Sequence, residues 1–504
     1  MKGLILLLGA LFVGWIQACA DSAPEFVASA TGGLPVRASV LAGRWYPDEA
    51  GALRKEIDGY LAAVPPVASA YPVRALVVPH AGYRWSGPTA AYGYNAVKGK
   101  NYKRVVLLGP SHTAGFRGGS IAPVSAYATP LGMVSLDREA CDRLLQSDII
   151  HSFAQVHERE HSLEIQLPFL QVVLGDFQLI PVVIGQVIPA DVVVLADLLR
   201  PLLTPDTLLV LSSDFTHQGP RFDYVPFKEN VKQNVQRLDF AAINPILNLD
   251  ARGFWHLLDQ TQATICGRNP IQIGMMALPA QTQVELAHYT TSGEATGDYA
   301  ETVSYAALVF RQRADYLDRK EQKLLLAAAR MTLEQTFAAG KADAYTMPAD
   351  VISERLKDSK GVFVTLSRNG RLRGCIGQLE HKDPLYQAVP ATVLLSAFGD
   401  RRFSPLEAEE LATTDIEISL MSPMQSVPDW KTIVLGRDGI RLAKQGRSAL
   451  FLPQVALEQG WSIEETLQNL CLKAGLPIDA WMEGCRFETF TAQVFGETFW
   501  ALTE

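Results

Sequence analysis

Val77-Val78-Pro79-His80-Ala81-Gly82-Tyr83 and Leu107-Leu108-Gly109-Pro110-Ser111-His112 decide how this chain is read. Each is an apolar run that stops at proline or glycine and then presents a histidine. A buried strand ending this way delivers a polar side chain to the carboxyl edge of a parallel sheet, where open α/β folds build their sites. Two such strands bring two imidazoles to one edge, which is the beginning of a metal site. Alone, either histidine reads equally well as a strand cap or a turn hydrogen bond. The pairing carries the reading.

Working outward, strands are expected at 75–78, 105–108, 179–184 and 208–211, with helical stretches between them, as over 191–199. Near-continuous apolar strands alternating with helices predict an α/β fold, a mainly parallel sheet sandwiched by helices. Ahead of them, the Ala-, Gly- and Pro-containing stretch from Ser22 to Arg37 reads as a mobile lead. Asp48 is the expected N-cap of a helix whose Leu53, Ile57 and Leu61 form an apolar stripe. His157 and His161 are four apart, on one face if both are helical. The residues between them do not spell HExxH, so the spacing gives no zincin motif. Ser212-Ser213-Asp214-Phe215-Thr216-His217 places Asp214 and His217 at the same sheet edge as the opening histidines. Cys266, before Gly267 and Arg268, is either a small buried apolar residue or a soft ligand facing the imidazoles.

Composition sets the bounds. With 504 residues, 48% hydrophobic and 19% charged, the chain is long enough for two or three globular domains. A formal net charge of -8 without any basic run argues against nucleic acid as a partner. Lys2, the apolar run through Ile16 and the small-residue exit make residues 1–20 a secretory signal. Ile16-Gln17-Ala18-Cys19 is similar to a bacterial lipobox, with ordinary cleavage at Ala18-Cys19-Ala20 as the alternative. The expected product is exported, either periplasmic or a lipoprotein anchored to the membrane through Cys19 alone. The cysteines at 19, 141, 266, 375, 471 and 485 include no CxxC pair, so this is no disulfide scaffold. Cys471 and Cys485 are the pair that an oxidising compartment would join.

A charged joint, 311–320, separates the first domain, 38–310, from a second, 320–504. Asn369-Gly370 between two apolar runs predicts a hairpin. Gly374 and Gly377 around Cys375 imply close backbone approach or a bulge. A helix closes into Asp400-Arg401-Arg402-Phe403, Ile416–Leu420 alternates as a half-buried strand, and Ser462 opens a helix with capping-box spacing. This is a smaller α+β domain. Cys375 is a nucleophile or redox thiol, or simply a packed strand cysteine. Arg373 and Arg401 either hold an anion or are solvated.

These motifs carry two resemblances. Gly43-Arg44-Trp45-Tyr46, Pro79-His80-Ala81-Gly82-Tyr83, Gly109-Pro110-Ser111-His112, Thr129-Pro130-Leu131-Gly132, Glu160-His161-Ser162-Leu163-Glu164, Ser212-Ser213-Asp214-Phe215 with His217, and Ile265-Cys266-Gly267-Arg268 together resemble the Memo family. The resemblance implies a fold like the class III extradiol dioxygenases and a metal held by His80, His112 and Cys266. It places the catalytic candidates Asp214 and His217 in the same pocket, with His161 and Glu164 nearby, and implies iron or copper in a redox role. A thiolate in place of the carboxylate of extradiol enzymes softens such a site and makes zinc competitive. Asp214 would serve as acceptor or base, and His217 as a proton donor.

Leu372-Arg373-Gly374-Cys375-Ile376-Gly377 with Asp400-Arg401-Arg402-Phe403 and Ile418-Ser419-Leu420 resembles the AMMECR domain, adding Cys375 to the catalytic candidates. The fusion is similar to the bacterial AmmeMemoRadiSam system, whose third component is a separate radical S-adenosylmethionine protein. No CxxxCxxC motif occurs here, so that chemistry would belong to the partner. The expected activity is a metal-dependent redox reaction, dioxygenase-like, on a small molecule or a modified protein side chain. The alternatives are a non-catalytic scaffold for the radical protein and a zinc-type hydrolase.

Overall fold

The apolar runs become strands β1 (Val73–Val78), β2 (Arg104–Pro110), β3 (Gln178–Ile184) and β4 (Thr207–Ser212), each buried almost end to end. A computed structural model describes residues 33–65, 71–499 and 501 of the chain. The expected signal over 1–20, with Cys19, lies outside the described residues. The four strands pair in parallel in the order β1-β4-β2-β3. Helices Ala50–Ala63, Tyr83–Asn95, Leu167–Leu174, Pro189–Leu199 and Arg268–Ala277 join them in one core. Complete burial suits aliphatic strands covered on both faces.

The parallel centre has antiparallel flanks. Strands β5 (Thr282–Thr291) and β6 (Thr302–Gln312) form a hairpin, and β6 runs antiparallel along β1 with Leu308 beside Val77. A short return such as 292–301 cannot make the crossover that a parallel pair requires. Among the described residues the whole sheet has nine strands.

Three local expectations are corrected. Glu49, not Asp48, caps the first helix, its carboxylate accepting from the Gly51 and Ala52 N–H groups. The last residues of the expected mobile lead are anchored: Val36 and Arg37 pair with Ala126 and Tyr127, and Arg37 is buried. Its guanidinium lies 2.6 Å from Glu164 Oε2. Glu164 also accepts from the Ser39 and Tyr46 hydroxyls and the Val40 and Leu41 N–H groups. Thus Glu164 clamps the entry of the chain. Third, the helix at His157 covers only Ala154–His157, so His157 and His161 do not share a helical face. His157 turns inward to the hydroxyls of Ser120 (3.1 Å) and Tyr127 (3.3 Å), and burial pushes its pKa down to about 3.

The second domain holds strands β7 (Gly361–Arg368), β8 (Arg371–Gln378), β9 (Thr414–Met421), β10 (Gln425–Val427), β11 (Gly439–Lys444), β12 (Arg447–Phe451), β13 (Arg486–Phe490) and β14 (Ala492–Gly496). They form two antiparallel sheets, β8-β7-β9-β14 and β10-β13-β11-β12. Helices Arg319–Ala339 and Leu385–Phe398 pack on the first, and Ile463–Lys473 on the second. The expected hairpin is present, with Asn369 and Gly370 both at positive φ, 50° and 71°. Gly374 is a true close approach: an added Cβ would stand 2.2 Å from the Ser396 carbonyl oxygen. Cys471 and Cys485 are free thiols, and Cys485 donates to the Ala480 carbonyl at 3.0 Å. Arg373 forks onto Glu410, and Arg401 is exposed. Among the described residues, no helix is long and apolar enough to cross a membrane.

Two stability predictions follow from buried charge. Glu164→Ala strands the Arg37 guanidinium in the interior, and removing one partner of a buried pair costs about 3–5 kcal/mol. Denaturant titration of the full chain measures the loss; a change within experimental error would refute the clamp. Where the domains meet, Glu417 on β9 is half-buried, and its desolvation followed by the carboxylates of Asp250 and Glu458 raises its pKa to about 7. Burial likewise raises Asp250 to about 6. A carboxyl raised in the folded state takes up protons that the unfolded chain releases, so stability falls as pH rises from the ordinary glutamate range through 7. Glu417→Gln should therefore stabilise the protein by roughly 2 kcal/mol at pH 8 and by nothing measurable at pH 4. Melting curves at the two pH values check it.

Candidate metal centre

Because β4 lies between β1 and β2, the residues following these three strands meet at one edge. Val78 is in register with Ser212, and Leu108 with Leu211. His80 therefore emerges beside Asp214, with His112 on the other side. The segment 160–164 crosses above them and adds His161. The ligand atoms of His80, His112 and His161 all lie within 4.8 Å of one another. The His112 and His161 rings stack with centroids 4.2 Å apart, and His80 stands edge-on to both at 5.1 and 5.4 Å.

The hydrogen bonds around the rings assign their free nitrogens. The Ser212 hydroxyl donates to the Ser162 carbonyl, and Gln166 Nε2 donates to the Ser212 oxygen. Ser212 Oγ thus accepts from His80 Nδ1 at 3.0 Å, which makes His80 Nε2 the acceptor nitrogen, facing Cys266 Sγ at 3.0 Å. His112 Nδ1 is 2.9 Å from Glu160 Oε1, which leaves Nε2 as the ring nitrogen available to a metal. Glu160 also accepts from the N–H groups of His112, His161 and Ser162. Burial would raise the Glu160 pKa, but the hydrogen bonds from the His112 ring and the His112 N–H help to outweigh it and hold it at about 2. A fixed anion behind an imidazole orients the ring and strengthens it as a donor.

Burial, then repulsion from the neighbouring rings, keeps His80 and His161 neutral. The pKa of His80 falls well below its ordinary value, and that of His161 falls to about 3. Neutral imidazoles are what a metal requires. His80 is 1% exposed whereas the His112 side chain is 30% exposed, so His112 stands at the mouth. Trp45 lies against His161 at a centroid distance of 4.7 Å and forms part of the rim.

The other candidates are placed as follows. Cys266 Sγ is 3.0 Å from His80 Nε2 and accepts the Asp214 N–H at 3.2 Å. Burial, then the Asp214 carboxylate, pushes its thiol pKa well up. Asp214 Oδ1 accepts the His80 N–H at 2.7 Å, and burial raises Asp214 to about 7. His217 Nδ1 lies between the carbonyl oxygens of Phe215 (2.9 Å) and Thr264 (3.0 Å), so Nδ1 carries the proton and Nε2 is the acceptor. Burial lowers the His217 pKa. Glu164 belongs to the chain-entry clamp and not to the cluster. Cys375 sits on β8 in the other domain, its Sγ accepting from Thr365 Oγ1 at 3.3 Å and its N–H donating to Asp400. Asp400 is held by Arg402, so the two motifs of that domain meet.

Sequence reasoning assigned no role to Glu160, Ser212, Gln166 or Thr264, which hold the imidazoles. Glu160 had a usable signal, an acidic residue directly before His161. Gln166, inside an apolar helix entry, had none.

Residues 37–309 match the family described as Memo-like protein, and residues 326–495 match AMMECR1. The Protein memo-1 homolog of Caenorhabditis elegans is 32% identical over 302 residues, covering 56% of this chain and 85% of that protein. MEMO1 family protein TV1383 of Thermoplasma volcanium is 33% identical over 280 residues, covering 54% and 98%. A solved structure, uncharacterized protein PH0010 from Pyrococcus horikoshii, matches at 37% identity and a TM-score of 0.32, covering 34% of this chain and 89% of that one. On the match over 37–309, which places the histidine cluster inside the shared domain, this chain belongs to the Memo-like protein family.

Proposed function

We propose that this protein is a metal-dependent redox enzyme whose centre is held by His80 and His112, with His161 and Cys266 as further donors. The observation that carries this reading is that His80 and His112 are each held by a hydrogen bond at Nδ1, in a cluster with His161 whose ligand atoms lie within 4.8 Å of one another. Iron or copper bound there would supply one-electron chemistry of the kind used by dioxygenase-like sites. The surrounding residues have their own tasks. Glu160 fixes His112, and Ser212 with Gln166 fixes His80. Asp214 locks the backbone at His80 beside the thiol of Cys266. His217, its Nδ1 proton held by two carbonyls, offers Nε2 to take a proton from a bound substrate and return it. Substrate enters past Trp45 and His112, the exposed side of the cluster.

A second reading rests on one observation. Three clustered imidazoles are also the donor set of catalytic zinc with an open position, which would make the protein a hydrolase. The remaining parts of the proposal concern context. The signal-like start and Cys19 support export as a periplasmic or lipid-anchored protein, and the pairing of a Memo-like with an AMMECR1 domain supports a separate radical S-adenosylmethionine partner.

Elemental analysis and dioxygen uptake of the natively purified full chain test the reading. Iron or copper is expected at about one per chain, with uptake, and His80→Ala should lower the content at least tenfold. Comparison of His161→Ala with Cys266→Ser identifies the third donor. Zinc without dioxygen uptake establishes the second reading. Metal content unchanged by His80→Ala refutes the centre.

A further inference from the structure

The helix Arg268–Ala277 begins two residues after Cys266 and ends where the two domains meet. Its start is fixed at the metal centre: the Gly267 N–H donates to Ser213 Oγ at 3.0 Å. Its middle lies directly on β4, where a Cβ at Gly274 would stand 2.4 Å from Leu211 Cδ1. Pro270 through Ala277 are all buried. Ten residues at the α-helical rise make a rod about 15 Å long.

The far end is gripped by the second domain. Arg319 donates to the Met276 carbonyl at 2.8 Å and to the Leu278 carbonyl at 3.0 Å. Arg200 donates to the same Met276 carbonyl at 2.9 Å. Gln493, on β14, donates to the Ala280 carbonyl at 3.3 Å and to the Leu317 carbonyl at 2.8 Å. These contacts satisfy carbonyls that a helix C-terminus leaves open, and cations there complement the helix dipole.

The placement of Arg319 is unfavourable for its own helix. It is the first residue of Arg319–Ala339, the end where a dipole disfavours a cation. Burial, then the neighbouring Arg200, lowers its pKa to about 10. A charge set against both its own helix and a like charge is held there by what it grips.

We propose that the second domain sets the position of the Cys266 thiol through this rod, with Arg319 as the positioning residue. Release of the C-terminal grip lets the helix lift from β4, and the thiol leaves its seat against His80. The inference rests on the placement of Cys266 and not on which metal, if any, is bound.

The test is peptide-resolved alkylation of Cys266 by iodoacetamide in the metal-free full chain, with Cys375 as internal reference. Arg319→Ala should accelerate Cys266 alkylation at least about fivefold, the factor that a local weakening of 1 kcal/mol produces. Arg319→Lys should restore part of the protection. Arg355→Ala, which removes a partner of Glu321 on the same helix without touching 276–281, should leave the rate unchanged. Gln493→Leu should also accelerate Cys266, and it decides the question if Arg319→Ala does not accumulate as folded protein. An unchanged Cys266 rate in the folded grip variants overturns the proposal. So does a parallel rise at Cys375, which would mark general loosening.

Discussion

The parallel pairing of β4 between β1 and β2 is the constraint on which the rest depends. It converts three segments distant in sequence into one edge, with His80, Asp214 and His112 side by side. The buried pleats on both faces leave no freedom of register, since a one-residue slip would turn every side chain to the other face. Hydrogen bonds across the edge then lock the loops: the His80 N–H to Asp214, the Asp214 N–H to Cys266 and the His112 N–H to Glu160.

Electrostatics gives the cluster its character. Several histidines packed together would repel one another if protonated, and burial adds to that cost. His80 and His161 are therefore donors rather than cations. Glu160 is the fixed counter-charge, and its hydrogen-bonding capacity is spent on one ring and three backbone N–H groups. Asp214 and Cys266 lie on the opposite side, where burial disfavours their ionised forms. The site thus has one charged wall and one neutral wall, and His112 opens it to solvent.

Much of this was legible in the residues. Apolar runs ending at Pro79-His80 and Pro110-Ser111-His112 announced both the parallel sheet and the edge, and Asp214 and His217 fell on it for the same reason. Asn369-Gly370 announced its hairpin because few other pairs accept positive φ at both positions. The strand order was not legible, because pairing partners are chosen by three-dimensional packing. The helical pairing of His157 with His161 failed for a local reason: that helix stops at His157, and Ser120 and Tyr127 draw its ring into the core. Arg37, within an otherwise plain lead, gave no sign that Glu164 would hold it from 127 positions away. The roles of Glu160, Ser212 and Gln166 depend on partners that only the fold supplies.

The central claim is that the Nε2 atoms of His80 and His112 share one metal ion. Anomalous diffraction from crystals of natively purified protein, collected at the absorption edge of the metal found, tests it most directly. The account predicts one dominant anomalous peak about 2.0–2.3 Å from both Nε2 atoms, within reach of His161 or Cys266. A peak bound to any other residues, or a fully formed histidine cluster with no peak in protein that contains the metal, would contradict it.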